Sequence, residues 1–156
     1  MTGNGSHPVL EVSHLQTSFF TKAGEVKAVD DVSFQVHSGR VLGLVGESGS
    51  GKTVTGFSIM GLVDPPGRVA GGEIRFQGED LVQATEQRWQ QLRGNQIAMV
   101  FQDPMMTLNP VLRIDTQMIE AIRAHEHLDR ATARRRARDA LGQVGIPSPD
   151  ERLKAY

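Results

Sequence analysis

Residues 46–53 read GESGSGKT, and this stretch decides which fold the chain is expected to adopt. It follows the apolar run Val41–Val45 and precedes a segment, residues 54–63, whose apolar side chains recur at helical spacing. Glycines between a strand and a helix let backbone N–H groups turn inward around a phosphate, at the positive end of the helix dipole. The pattern Gly-x-x-x-x-Gly-Lys-Thr therefore predicts a nucleotide-binding loop.

Each position of this loop has an expected role. Lys52 reaches the β- and γ-phosphates, and the Thr53 hydroxyl is a ligand of Mg²⁺. The residues predicted to contact the nucleotide are Gly46, Glu47, Ser48, Gly49, Ser50, Gly51, Lys52, Thr53 and Val54. A chance glycine-rich turn is the alternative, and the strand–loop–helix context argues against it. A GTPase is disfavoured because the chain has no Asn-Lys-x-Asp sequence to recognise guanine.

The composition fits one soluble globular domain, with 156 residues, 38% apolar side chains and a net charge of −1. The absence of cysteine excludes disulfides, thiol catalysis and cysteine-held metals. No apolar run approaches the roughly 18 residues needed to cross a bilayer, and the polar N-terminus is unlike a signal peptide. The basic residues 130–139 alternate with alanines, which indicates a solvated face opposite an alanine packing stripe rather than a nucleic-acid site.

Apolar periodicity predicts the elements around the loop. Alternation predicts strands over Val9–Leu15, Val32–Val36 and Gly71–Leu81. The continuous runs Val41–Val45 and Ile97–Phe101 predict two buried strands, as in a parallel sheet. Helices are predicted from the loop up to Pro65 and over Glu86–Arg93. A third helix is predicted from Ile114, with Met118 and Ile122 on the same face. A fourth is predicted from an Asp129 cap to about Val144, with Gly145 as the stop, and a fifth begins after a Ser148 cap.

Residues 28–53, 71–81 and 97–110, in this order and spacing, resemble the ATP-binding cassette ATPases. The likeness runs from about Val9 to Tyr156 and points to the subunits that power bacterial oligopeptide and dipeptide importers. It implies an α/β fold, in which an incomplete P-loop NTPase core carries an N-terminal antiparallel β layer and a partial helical subdomain. The implied organisation is a flexible leader over 1–7, the β layer and ATP-binding core over 8–103, and a docking loop with the helical subdomain over 104–156.

The resemblance also implies roles for residues outside the loop. Phe19 stacks on adenine, while its neighbour Phe20 is expected to be ordinary core. Gln102 contacts Mg²⁺ and the attacking water and hinges the helical subdomain, so that Lys52 and Gln102 are the implied catalytic residues. The loop Pro104–Pro110 lies near the surface where a membrane-spanning partner docks, although Met106 replaces the small hydroxyl residue that the family more often has.

The implied function is ATP binding and hydrolysis coupled to peptide uptake, with ATP and Mg²⁺ as cofactors. The implied partners are integral-membrane permease subunits, a second ATPase subunit and, indirectly, an extracytoplasmic solute-binding protein, without nucleic acid. The location is then the cytoplasmic face of the plasma membrane. The cargo stays open among dipeptides, longer peptides and nickel complexes. A stand-alone, truncated, non-catalytic nucleotide-binding fragment is the main alternative, and a cassette protein with a non-transport task such as DNA repair is a weaker one.

Several catalytic parts of the family do not occur in these 156 residues. They are the Ser-Gly-Gly helix start that caps the partner's ATP, the acidic strand with its Mg²⁺-binding aspartate, the adjacent glutamate base and the switch histidine. The chain by itself is therefore expected to be inactive and marginally stable. His125 and His127 are not expected to form a metal site, because positions two apart on a helix point in different directions.

Overall fold

The structure is a computed structural model that describes residues 7–102 and 107–156. The chain divides into two compact units, Met1–Arg93 and Gly94–Tyr156. Nearly all of the predicted leader, together with Asp103, Pro104, Met105 and Met106, lies outside the described residues. None of the helices within the described ranges has both the length and the apolar character that a membrane crossing requires.

The first unit is built on a four-stranded antiparallel sheet with the strand order β2-β1-β3-β4. The strands are β1 (Leu10–Thr21), β2 (Gly24–Val36), β3 (Gly67–Phe76) and β4 (Glu79–Asp80). β1 is central, because it pairs with β2 on one side and with β3 on the other. The predicted antiparallel layer is confirmed. β1 runs six residues past the predicted end at Leu15, since both neighbouring strands continue to take its backbone hydrogen bonds.

The two predicted buried strands are not observed. Neither Val41–Val45 nor Ile97–Phe101 belongs to a strand in the part of the chain that the structure describes. Val41 is 100% exposed, Val45 is 91% exposed and Val100 is 97% exposed. An apolar run becomes a buried strand only when neighbouring strands pair with its backbone and other elements cover both of its faces. Within residues 7–102 and 107–156, Val41–Val45 has no such neighbours, and Ile97–Phe101 has only an isolated bridge at Ile97.

Helix α1 (Lys52–Met60) packs on the sheet of the first unit. Its Ser58 hydroxyl lies 2.8 Å from the Thr17 hydroxyl of β1, and both side chains are buried. This bond satisfies two polar groups that burial would otherwise penalise. The apolar core around it contains Val12, Leu15, Val29, Met60, Ile74, Phe76, Leu81, Trp89 and Leu92.

The carboxyl end of α1 is held by α2 (Glu86–Leu92) and the residue that follows it. Arg93 donates from Nε to the Met60 carbonyl at 2.8 Å and from a terminal nitrogen to the Gly61 carbonyl at 2.5 Å. Its guanidinium lies 4.9 Å from the centre of the Trp89 ring. A cation at this end of a helix complements the dipole, and Gly61 closes the helix with a left-handed φ of 61°.

The second unit consists of α3 (Ile114–His125), α4 (Arg130–Gln143) and α5 (Pro149–Arg152). The predicted alanine stripe is confirmed for Ala133 and Ala137, which are fully buried. The helix predicted from Ile114 is confirmed as α3. Its buried residues are Asp115 and Ile119, whereas Ile114, Met118 and Ile122 are only half-buried.

The start of α3 is anchored by backbone and ionic contacts. The N–H groups of Ile114 and Asp115 donate to the carbonyls of Ala155 and Leu153, each at 2.9 Å. The buried Asp115 carboxylate accepts from Arg113 at 2.8 Å and from Arg134 of α4 at 2.6 Å. A buried carboxylate requires such partners, and here they tie the first turn of α3 to α4.

Two predicted helix caps differ in outcome. Asp129 caps α4 as predicted, since its carboxylate accepts from the N–H groups of Ala131 at 2.9 Å and Thr132 at 3.0 Å. Hydrogen bonds from Thr132 hold the pKa of Asp129 below its usual value. Ser148 lies at the predicted N-cap position of α5, with Pro149 directly after it, but it has a φ of 50° and its side chain makes no cap hydrogen bond.

Gly67→Ala is expected to destabilise the first unit by about 1–3 kcal/mol, the usual cost of overpacking. The added carbon would lie 2.6 Å from the Phe19 ring and 2.8 Å from Val63. Gly71→Ala is the matched control on the same strand, because its nearest neighbour is the flexible end of Gln16 at 3.2 Å. Urea unfolding followed by Trp89 fluorescence measures both variants. Equal losses of stability would contradict this account of Gly67.

Candidate phosphate-binding site

The glycine-rich loop leads directly into α1, as the sequence predicts. Gly49 and Gly51 adopt left-handed φ angles of 82° and 87°, a conformation that glycine enters without steric cost. The N–H of Ser50 donates to the Glu47 carbonyl at 3.2 Å, which closes the turn. Gly51 is the N-cap residue of α1, and the helix begins at Lys52.

Gly51 also brings the loop against the sheet. A Cβ at this position would lie 2.3 Å from the Ala28 carbonyl oxygen of β2. Real Cβ atoms do not approach a carbonyl oxygen that closely, so only glycine fits. The contact places the start of α1 directly beside β2.

The Lys52 ammonium group is directed back into the loop. Its Nζ donates to the Gly46 carbonyl at 2.8 Å, to the Glu47 carbonyl at 2.6 Å and to the Ser50 hydroxyl at 3.2 Å. An ammonium group has three donors, and the loop uses all of them. The positive charge is thereby held at the loop instead of extending into solvent.

A cleft of about 160 Å³ opens beside the loop and the start of α1. Its lining residues are Ala28, Gly49, Ser50, Gly51, Lys52, Thr53 and Val54. The first N–H groups of a helix have no intrahelical acceptor and lie at the positive end of its dipole. The first turn of α1 contains no acidic residue that would compensate this charge. The cleft therefore suits an anion, and a phosphate in particular.

The remaining loop residues lie at the surface. Glu47, Ser48 and Thr53 are exposed, and within the described residues the Thr53 hydroxyl makes no hydrogen bond. By contrast, the Thr55 hydroxyl donates to the Gly51 carbonyl at 3.0 Å and is committed to the helix. Thr53 is therefore available to a metal ion, whereas Thr55 is not. In the part of the chain that the structure describes, no group of three or more His, Cys, Asp or Glu residues could hold a metal by itself.

The two phenylalanines at the end of β1 lie on opposite faces of the strand. Phe19 is half-buried, pairs across the sheet with Gly67 and packs its ring on that glycine. Phe20 is 39% exposed, and the Arg68 guanidinium lies 4.3 Å from the centre of its ring. The expectation that Phe20 is core is therefore wrong. Successive side chains of a strand point to opposite faces, and Phe20 lines a surface cleft together with Pro65, Pro66 and Arg68.

Gln102 is exposed and belongs to the second unit, whereas the loop belongs to the first. Two residues with a part in the arrangement of the first unit were not predicted. Ala28 lines the cleft, and its carbonyl oxygen lies so close to Gly51 that no Cβ would fit there. Arg68 contacts the Phe20 ring. Neither residue belongs to a sequence motif, because their contacts arise only when the strands pair in the folded sheet.

Comparison with known proteins identifies the family. The model of the ABC transporter family matches residues 29–156. The chain therefore belongs to the ABC transporter family.

Curated relatives share close to half of their aligned residues with the chain. It is 45% identical over 148 residues to the dipeptide transport ATP-binding protein DppD of Escherichia coli (strain K12), covering 95% of the chain. It is 49% identical over 149 residues to the putative peptide import ATP-binding protein BMEII0206 of Brucella melitensis. It is 45% identical to the oligopeptide transport ATP-binding protein OppD of Bacillus subtilis (strain 168). The chain spans 45%, 45% and 42% of the lengths of these three proteins.

Solved structures support the fold. The ATP-binding cassette MJ0796, in a dimeric post-hydrolysis state bound to ADP and Pi, matches with a TM-score of 0.77 at 18% identity. That match covers 94% of this chain and 60% of the other. The ATP-binding subunit of an ABC transporter matches with a TM-score of 0.65 at 26% identity, covering 95% of this chain and 54% of the other. The α/β cassette fold is confirmed over the part of it that this chain spans.

Gly51→Ala is expected to destabilise the first unit more than Gly49→Ala. Both substitutions incur the cost of a left-handed backbone, about 1–2 kcal/mol. At Gly51 the new carbon also meets the Ala28 carbonyl, whereas at Gly49 nothing lies within 4 Å. The difference in the free energy of unfolding between the two variants, measured in urea, isolates the contact with β2. Indistinguishable variants would mean that the loop does not depend on this contact.

Proposed function

We propose that the chain is the ATP-binding part of an ABC importer, which couples ATP binding and hydrolysis to peptide uptake. The observation that carries the proposal is the phosphate-binding loop, in which three acceptors hold the Lys52 ammonium group beside the amino end of α1. The proposed cofactors are ATP and Mg²⁺. The names of the relatives, which include dipeptide and oligopeptide transport ATP-binding proteins, support peptides as the cargo.

The proposed roles follow from the chemistry of phosphoryl transfer, in which positioning and charge stabilisation supply most of the rate. The backbone N–H groups of Gly49–Val54 bind phosphate oxygens, and Lys52 neutralises the charge on the transferred phosphate. Thr53 and Gln102 are proposed as Mg²⁺ ligands, with Gln102 also orienting the attacking water. Phe19 is proposed to stack on adenine.

The proposed partners are integral-membrane permease subunits, a second ATPase subunit and, indirectly, an extracytoplasmic solute-binding protein. The proposed location is the cytoplasmic face of the plasma membrane. Within the chain, we propose a leader over 1–7, the β layer and nucleotide-binding core over 8–103, and the docking loop with the helical subdomain over 104–156.

A stand-alone nucleotide-binding fragment remains the alternative function, and the exposed apolar runs disfavour it. Val41, Val45 and Val100 are each more than 90% exposed. Apolar side chains exposed to this extent favour segments that another element covers. An importer subunit provides such covering elements, whereas an isolated fragment does not.

Lys52→Ala is expected to weaken the binding of ATP by about tenfold to a hundredfold, because charge-assisted hydrogen bonds contribute roughly 1.5–3 kcal/mol each. Lys22→Ala removes an exposed lysine from the hairpin turn and serves as the control for charge. Isothermal titration calorimetry measures both variants, with Lys52→Arg as a second variant that keeps a cation in the loop. Equal affinities for the wild type and Lys52→Ala would contradict the proposal.

The 156-residue chain is expected to bind ATP and to release almost no phosphate. The glutamate base, the Mg²⁺-binding aspartate strand and the Ser-Gly-Gly helix start do not occur in it. Phosphate release is measured with the same preparation that is used for calorimetry, so that the binding of ATP shows that the protein in the assay is folded. Turnover of several ATP molecules per minute by the wild type, lost in Lys52→Ala, would show that these residues already contain the hydrolytic machinery.

A further inference from the structure

The Lys52 ammonium group has a full set of acceptors within its own loop. Its Nζ donates to the carbonyl oxygens of Gly46 at 2.8 Å and Glu47 at 2.6 Å, and to the Ser50 hydroxyl at 3.2 Å. An ammonium group carries three N–H donors and no acceptor, so these three bonds use all of its donors. In this arrangement, a phosphate oxygen can accept from Lys52 only if one of the three acceptors loses its bond.

The bond to Ser50 is the one that is most easily lost. It is the longest of the three and lies at the upper end of the usual range for N–H···O bonds. Ser50 is exposed, so that water can replace the ammonium group at its hydroxyl. The Glu47 carbonyl, by contrast, also accepts from the Ser50 N–H and is part of the turn.

The loop makes room for the Ser50 hydroxyl at its first glycine. A Cβ at Gly46 would lie 2.6 Å from Ser50 Oγ and 4.0 Å from the Cδ of Lys52. The first of these distances is shorter than real Cβ atoms tolerate, so a side chain at position 46 would displace the hydroxyl. The hydroxyl and the Lys52 side chain therefore share the space beside the Gly46 backbone.

Ser50 is also the acceptor that lies at the cleft. The cleft of about 160 Å³ beside the loop is lined by Ser50 and Lys52, whereas Gly46 and Glu47, which the structure also describes, do not line it. A phosphate that enters this cleft approaches Lys52 from the side of Ser50. The two carbonyl oxygens hold the ammonium group from elsewhere in the loop.

We propose that Ser50 is a positioning residue that holds one N–H of Lys52 until a phosphate oxygen replaces its hydroxyl. The inference rests on the proposed function, in which Lys52 neutralises the charge of the transferred phosphate. In the exchange, Lys52 keeps its bonds to Gly46 and Glu47, and only its third N–H passes from Ser50 to the phosphate. Ser50 thus competes with the nucleotide for Lys52, and its hydroxyl lowers the affinity of the loop for phosphate.

A serine hydroxyl that only bound phosphate would have the opposite effect. Its removal would then delete a contact of the bound nucleotide and would weaken binding. If Ser50 holds Lys52 instead, its removal leaves one ammonium N–H without a protein acceptor before the phosphate arrives, and binding becomes tighter. The sign of the change in affinity therefore distinguishes the two roles.

Three variants of the 156-residue chain test the proposal. Ser50→Ala removes the acceptor, and Ser50→Thr keeps a hydroxyl at the same position. Ser48→Ala is the matched control, because it removes a loop hydroxyl that is not among the three acceptors of Lys52. Ser48 and Ser50 are both exposed, so their truncation removes no packed side chain.

Isothermal titration calorimetry measures the affinity of each variant for ATP with Mg²⁺ and for inorganic pyrophosphate, which has no base or sugar. Ser50→Ala is expected to bind both ligands roughly threefold more tightly than the wild type, because a hydrogen bond to an exposed hydroxyl makes a small net contribution. Neither Ser50→Thr nor Ser48→Ala is expected to show this gain.

A double substitution tests whether Ser50 acts through Lys52. In a chain that already carries Lys52→Ala, no ammonium group remains for Ser50 to hold. The gain in affinity from Ser50→Ala is therefore expected to disappear in that background, as for two residues that act as a pair. A gain that persists without Lys52 would overturn the proposal.

The remaining outcomes separate this proposal from the proposed function. A wild-type chain that binds neither ATP nor pyrophosphate would refute the proposed function itself. A wild-type chain that binds ATP, with Ser50→Ala equal to it or weaker, would overturn the role of Ser50 alone. Urea unfolding followed by Trp89 fluorescence shows that each variant in this comparison is folded.

Discussion

The close approach of Gly51 to the Ala28 carbonyl is the constraint on which the first unit depends. It fixes the start of α1 beside β2, and the Thr17–Ser58 hydrogen bond then sets the helix along β1. Lys52 follows Gly51 directly, so the same contact determines where its ammonium group lies. A side chain at position 51 would separate helix and sheet and would displace the cation from the loop. The anion-binding character of the site is thus a consequence of a backbone contact.

Most of the site could be predicted from the sequence because its chemistry is local. The glycines, Lys52 and the helix start lie within eight residues, and a short-range pattern is enough to specify them. The two apolar runs show where this reasoning ends. Val41–Val45 has the composition of a buried strand, but a strand forms only when distant residues supply its neighbours. Composition indicates that a segment favours the strand conformation, but a strand forms only if other strands pair with its backbone.

The second unit likewise contains features that the local sequence predicts and features that depend on distant residues. The alanine stripe of α4 was predictable because small side chains at helical spacing indicate close packing. The buried Asp115 was not predictable, since a buried carboxylate requires partners, and here two arginines from separate positions in the sequence supply them. Gln117 is a similar case: nothing in the sequence distinguishes it from the exposed Gln143. Gln117 differs because the folded loop brings three backbone groups to its amide, the Asn109 N–H and the carbonyls of Asn109 and Leu112.

The central claim is that residues 46–54 bind the phosphates of ATP through the start of α1. Hydrogen exchange of the 156-residue chain, with and without Mg²⁺ and ATP, tests it most directly. The account predicts that ATP slows exchange at the amides of Gly49–Val54, that inorganic pyrophosphate does the same more weakly, and that α4 is unaffected. Slowed exchange confined to other parts of the chain, with no change over Gly49–Val54, would contradict it.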